Sequence, residues 1–455
     1  MSFRERFFGS GLISNIGANG LGLSVQLLIQ LGSVPILAHS WGLERYGVWL
    51  VMLAVPGYLA VADLGYQGAA ANDMTASVAK GERGMARSVF QSVVLATLGV
   101  MAVLALGIVM LAFGPLSGVL DFAQQAASGQ AAWLVIAMAG YGLLTVVSNL
   151  AHAVLRATGA YSRFMYVNSL GILAENAAVL AIALSGGGLV PAAMAFVGLR
   201  AIVATILSVM AARRAPWIAT GRWRISFAQL RRLMGPAFAL AVMMLAFAVS
   251  LQTMAPIIAA AGAVALVPIY TAVRTLTRFG VQLTTVVSTG LMPNFTAAHA
   301  TDEEDRTADL VALTLVASIG LLVPAAIGLL VLGPWFMKLW TGGAIVAPYG
   351  LIAALAAAML FNGIWTPLSN LMLAINRQSL FTYAFLLGAL VMLSLAYVLV
   401  QALGVTGAGI ASMLLEAFML VWVLMQVRRL GFVRAGMWRQ APQRVLGMVR
   451  RTLAR

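Results

Sequence analysis

The sequence predicts an all-α polytopic membrane protein, with twelve transmembrane helices in two six-helix lobes around a central cavity. Three observations predict it. The 455 residues are 62% hydrophobic and only 9% charged, with a mean hydropathy of +0.96, a balance that soluble domains of this length do not carry. Apolar windows long enough to cross a bilayer recur from one end to the other. Once those windows are drawn as spans, Lys and Arg fall almost wholly on one side.

The spans run over residues 12–38, 46–67, 88–113, 131–154, 164–185, 188–210, 234–261, 264–292, 308–332, 345–374, 380–402 and 405–427. The N-terminal MSFRERFFGSGLISN passes into the first of them without a small-residue cleavage site, so it reads as an uncleaved span. An even count puts both termini on one side. With that side cytoplasmic, 23 Lys and Arg lie in inner segments and two, Arg45 and Lys338, in outer loops. One missed span would scramble that ratio.

The longest inner connection is Arg-rich and falls near the middle of the chain. It divides an N-terminal lobe (1–210) from a C-terminal lobe (234–427), with a basic linker at 211–233 and a basic tail at 428–455. A shift of 217 positions pairs Gly171 with Gly388, Ala157 with Ala374, Phe164 with Phe381 and Gly187 with Gly404. Two parallel six-helix halves are a transporter architecture, with sites near the midplane.

Six ionisable residues fall inside spans: Asp63, Glu175, Arg200, Arg274, Arg278 and Glu416. Each is costly there and calls for a partner or a water-filled cavity. Arg274 and Arg278 stand one turn apart in VALVPIYTAVRTLTRFGVQLTTVVSTGLMP, a stretch without an acid, and so share a helix face. The expectation is a hydrated cavity where an anion binds, although Glu416 or Glu175 could neutralise one of them.

Glu175 and Arg200 lie at matching depths on consecutive antiparallel helices. They form either a structural ion pair across a hairpin or part of a ligand or proton site. Asp63, late in the second span, suits helix-end packing or ligand binding. Glu416 is either protonated and hydrogen-bonded or a coupling group. In the first span Asn15, Asn19, Gly22, Gln26 and Gln30 share one face. Amides facing lipid would go unsatisfied, so that face should meet a polar cavity or another helix.

Trp41, Trp133, Trp335 and Trp340 suit an interfacial belt. His39, His152 and His299 have no metal-ligand spacing, and there is no Cys, so no metal site is expected. The net charge of +15 suits topology and contact with anionic lipids, with no nucleic-acid partner. Neither GxxxxGK[ST], HExxH nor GxSxG is present. The chain is expected to be a secondary transporter and not an enzyme, with no cofactor and with H+ or Na+ coupling through the membrane acids as an option.

The sequence resembles the bacterial polysaccharide (O-antigen-type) repeat-unit flippases of the multidrug/oligosaccharidyl-lipid/polysaccharide exporter superfamily. The resemblance is carried by Glu44-Arg45-Tyr46-Gly47-Val48-Trp49, Asp63-Leu64-Gly65 and Leu155-Arg156-Ala157-Thr158-Gly159. Pro268-Ile269-Tyr270-Thr271-Ala272-Val273-Arg274, Met292-Pro293 and Gly404-Val405-Thr406-Gly407-Ala408-Gly409 add to it, and their order and spacing cover nearly the whole chain.

The resemblance implies a lipopolysaccharide-type pathway in the bacterial inner membrane. The partner would be an undecaprenyl-diphosphate-linked oligosaccharide, and a monomer would work alongside polysaccharide polymerase machinery. It implies a cationic cavity for the diphosphate and maps the eighth-helix arginine onto Arg274. Relatives often carry further arginines in the first two helices, where this chain has amides. The alternatives are a drug or cation exporter, which would want exposed cavity carboxylates, and a membrane-embedded polymerase or ligase, which would want a large outer loop.

Overall fold

A computed structural model describes residues 10–59, 66–113, 130–218, 220, 225–300, 304–374, 377 and 379–431. Among the described residues the regular structure is helical, with no strand. In chain order the helices are α1 (Ser10–Met52), α2 (Ala54–Leu59), α3 (Tyr66–Ala79), α4 (Arg83–Phe113), α5 (Ala131–Ala157), α6 (Tyr161–Leu184) and α7 (Leu189–Arg214). They continue with α8 (Phe227–Gln252), α9 (Met254–Ala260), α10 (Val267–Ala300), α11 (Glu304–Trp340), α12 (Tyr349–Ala374), α13 (Ser379–Leu403) and α14 (Val405–Arg429).

Nine of the described helical segments are long and apolar enough to cross a membrane, and ten if α8 and α9, bent by 43° at their junction, count as one. Two further expected spans lie within helices that this count merges or passes over. The first and second spans are joined in α1, broken at Gly42, whose φ of 73° lies in the left-handed region and ends the first helix. The eighth span is α10, whose Thr-, Arg- and Gln-bearing sequence lowers its hydropathy. With these, every one of the twelve expected spans has a helical counterpart. Beyond the apolar window of the second span, YQGAAANDMTASVA forms a separate helix, α3.

The chain divides into two compact units, Met1–Ala265 and Leu266–Arg455. In the first, α1 packs on α6, α5 on α7, and α3 on α4 and α5. Helix α8, grouped by sequence with the C-terminal lobe, packs on α3 and α4 within this first unit. An Arg232–Asp73 ion pair adds to that contact. In the second unit α12 is central, packed by α10, α11 and α14, with α13 against α14.

Both units are built as lipid demands, with apolar side chains on the outside and small residues between helices. Val103 and Val331 are about 70% exposed. A Cβ on Gly407 would come within 2.0 Å of the Leu399 carbonyl oxygen, and one on Gly363 within 2.1 Å of Leu322. The sequence-paired glycines Gly171 and Gly388 do similar work. Gly171 on α6 admits Val203 of α7, and Gly388 on α13 admits Leu415 and Phe418 of α14.

Candidate functional site

In the first unit a cavity of about 520 Å³ opens between α1 and α6. Gln26 and Gln30 line it from α1, and Asn168, Ser169 and Asn176 from α6, over apolar walls that include Ile29, Met165 and Ile172. Of the amide face of the first helix, Gln26 and Gln30 thus meet a cavity shared with another helix. Asn15 and Asn19 lie on α1, with side chains outside the described residues. Gly22 lets the helices approach, because a Cβ there would sit 3.2 Å from the Ser169 hydroxyl.

Behind the α6 wall lies a buried charge network. Arg200 of α7 meets Glu175 of α6 at 2.9 Å, with side chains 3% and 0% exposed. The Tyr141 hydroxyl of α5 donates to the same carboxylate oxygen at 3.0 Å and accepts from Arg200 at 2.8 Å. The Tyr141 ring stacks on Phe196 at 4.1 Å, which fixes its direction. Arg200 also donates from its other terminal nitrogen to Asn168 Oδ1 at 3.0 Å. Asn168 therefore joins the ion pair to the cavity. Burying two charges is repaid only when geometry and additional hydrogen bonds are good, and here Tyr141 and Asn168 supply them. Glu175 Oε1 and Arg200 Nε still have no hydrogen-bond partner among the described residues.

In the second unit Arg274 and Arg278 stand on α10. Arg274 is half-buried, its guanidinium 5.7 Å from the Tyr270 ring centre, and Arg278 is exposed. Tyr270 is held in turn by a 2.8 Å hydrogen bond with Ser412 of α14. Glu416, also on α14, accepts from the Asn362 amide at 2.9 Å and from the Trp365 indole at 2.7 Å, both on α12. The positive charge of Arg274 acts on Glu416 electrostatically. Among the described residues no carboxylate lies within ion-pair distance of Arg278. Glu175 is paired with Arg200. Asp63 lies outside the described residues.

Several side chains of these clusters lie outside the patterns read from the sequence. Asn168 and Asn176, eight positions apart, lie on the face of α6 that meets α1, and Asn362 and Trp365 are three apart on α12. An i, i+3 or i, i+8 search for polar groups along apolar helices would have found both pairs. Trp41 departs from the expected interfacial belt. It is buried, and its indole donates to the Gly187 carbonyl at 2.8 Å. Trp133 and Trp335 are well exposed.

No protein-family model and no curated protein sequence matches the chain. Solved structures do. An inward-facing multidrug resistance MATE family transporter of the MOP superfamily aligns with a TM-score of 0.68 at 17% identity, over 91% of this chain and 99% of that one. The lipid II flippase MurJ, in an inward closed conformation, aligns with a TM-score of 0.71 at 12% identity, over 91% and 87%. A eukaryotic MATE transporter aligns with a TM-score of 0.56 at 15% identity, over 96% and 98%. At such identities the likeness speaks for architecture alone, and this chain shares the fold of these solved structures.

Proposed function

We propose that the protein is a secondary transporter that flips an undecaprenyl-diphosphate-linked oligosaccharide from the cytoplasmic to the outer leaflet by alternating access. The observation that carries this reading is Arg278, an exposed cation on a membrane helix one turn from Arg274, without a carboxylate in reach among the described residues. Such a charge is stable in a bilayer only where water or an anion meets it. A guanidinium offers a planar fork for phosphate oxygens and keeps its charge.

In this reading Arg274 and Arg278 hold the diphosphate, the amides of α1 bond sugar hydroxyls, and the polyprenyl tail stays in lipid. Two negative charges moving outward across an inside-negative membrane gain about 4–5 kcal/mol per 100 mV. The likeness to a lipid II flippase supports a lipid-linked substrate.

The test is flipping of a fluorescent lipid-linked oligosaccharide in vesicles by Arg274→Ala and Arg278→Ala, with insertion checked. Loss of flipping in either variant is expected, and full activity in both overturns the assignment. A second reading, export of a drug or cation, draws on the MATE likeness and on Glu416, a carboxylate that is not fully buried. Efflux of a cationic dye that Glu416→Gln abolishes would favour it.

A further inference from the structure

The hydrogen bonds around the α1–α6 cavity fix which atoms its amides present. Arginine can only donate, so the Asn168 side chain must turn its oxygen to Arg200. Its NH2 group then makes no hydrogen bond among the described residues, and Asn168 lines the cavity. Asn176 is fixed the opposite way. Its NH2 donates to the Ile172 carbonyl at 2.8 Å, which leaves its oxygen as the group on offer. Gln30 adds a buried oxygen without a hydrogen-bond partner among the described residues, and Gln26 an exposed amide.

The lining therefore holds a donor and an acceptor of fixed direction and no charged residue, and Glu175 and Arg200 neutralise each other behind the wall. A ligand that is itself charged would leave water for a neutral site at a cost. A hydroxyl, which donates and accepts at one atom, satisfies both kinds of partner.

We infer that this cavity is a neutral saccharide subsite in which Asn168 is the donor and the Arg200–Glu175–Tyr141 network is the positioning device that aims it. The inference rests on the carbohydrate reading given above and extends it to α6, assigning sugar recognition to residues of the first unit. Arg200 and Glu175 act here through Asn168 and do not touch the ligand.

The chain contains no cysteine, so Leu23→Cys, on the cavity lining, is a reporter in an otherwise silent background. The rate at which a water-soluble maleimide labels it is measured on the full chain in detergent. The additions are neutral sugars (glucose, N-acetylglucosamine and their disaccharides), the anionic glucuronate and glucose 6-phosphate, and glycerol. Neutral sugars are expected to slow labelling, and the anionic sugars and glycerol to leave it unchanged.

Adding Asn168→Asp keeps an acceptor for Arg200 but removes the donor, and should weaken protection about fivefold, as for one lost hydrogen bond. Asn168→Leu should weaken it at least as much, with protection read in each variant as the ratio of labelling rates without and with sugar. Absence of protection by every neutral sugar overturns the subsite, as does equal protection by the anionic sugars or glycerol. Full protection in Asn168→Asp overturns the role of Asn168. These readouts do not involve Arg274 or Arg278, so a failed diphosphate assignment and a failed sugar subsite give different results.

Discussion

Arg200 and Glu175 come from consecutive antiparallel helices and meet at 2.9 Å with almost no exposure to solvent or lipid. Removing one of two buried, paired charges strands the other, at a cost of about 3–5 kcal/mol. Glu175→Leu and Arg200→Met alone should each lower the thermal midpoint in detergent by several degrees. The double variant should recover most of that loss. A double variant as unstable as the sum of the singles would show that the two side chains act independently.

Glu416 gives a contrasting case, because both of its hydrogen bonds end on one oxygen, Oε2. A glutamine in its place can put its amide oxygen there and accept from Asn362 and Trp365 alike. Glu416→Gln should therefore melt close to the parent, while Glu416→Leu leaves the Trp365 and Asn362 donors unmet and loses about 1–3 kcal/mol. Differential scanning fluorimetry on the two variants checks this.

Gly407→Ala should be poorly tolerated. The added methyl would meet the Leu399 carbonyl, and backbone cannot step aside as a flexible side chain can. A loss of at least about 1–3 kcal/mol is expected from such overpacking. It would appear as reduced monodisperse protein in size-exclusion chromatography. Gly320→Ala, where a Cβ meets nothing within 4 Å, should behave as the parent.

Arg278→Ala should leave stability nearly unchanged, because the side chain is exposed and makes no hydrogen bond among the described residues. If it contacts phosphate, losing a charge-assisted hydrogen bond of about 1.5–3 kcal/mol lowers apparent affinity roughly tenfold to a hundredfold. Arg278→Lys should restore part of it, since lysine keeps the charge without the planar fork. Flipping rates at several substrate concentrations separate the three variants.

The spans were legible because hydropathy is a one-dimensional property and the bilayer sets its length scale. The same bilayer hides packing. Lipid is as apolar as a core, so α6 shows no hydrophobic face that says where it points. For this reason Gln26 and Gln30 announced a polar surface, while Asn168 and Asn176 opposite them did not. The Glu175–Arg200 contact was readable because a short hairpin equates their depths. The donors to Glu416 come from α12, about fifty positions away, and no depth argument reaches them. Trp41 looked interfacial by its place at a span end, but its indole finds the turn at Gly187 instead.

That last bond has a mechanical consequence. Helices α1 and α6 are neighbours, and Trp41, beside the Gly42 break that ends the first span, pins α1 to the turn that follows α6. Two rods fastened at one tip can part only at the other, as the arms of tweezers do. The void between them would gape away from Trp41, and the fastened tip would serve as pivot. Ligand would enter and leave where the arms spread widest.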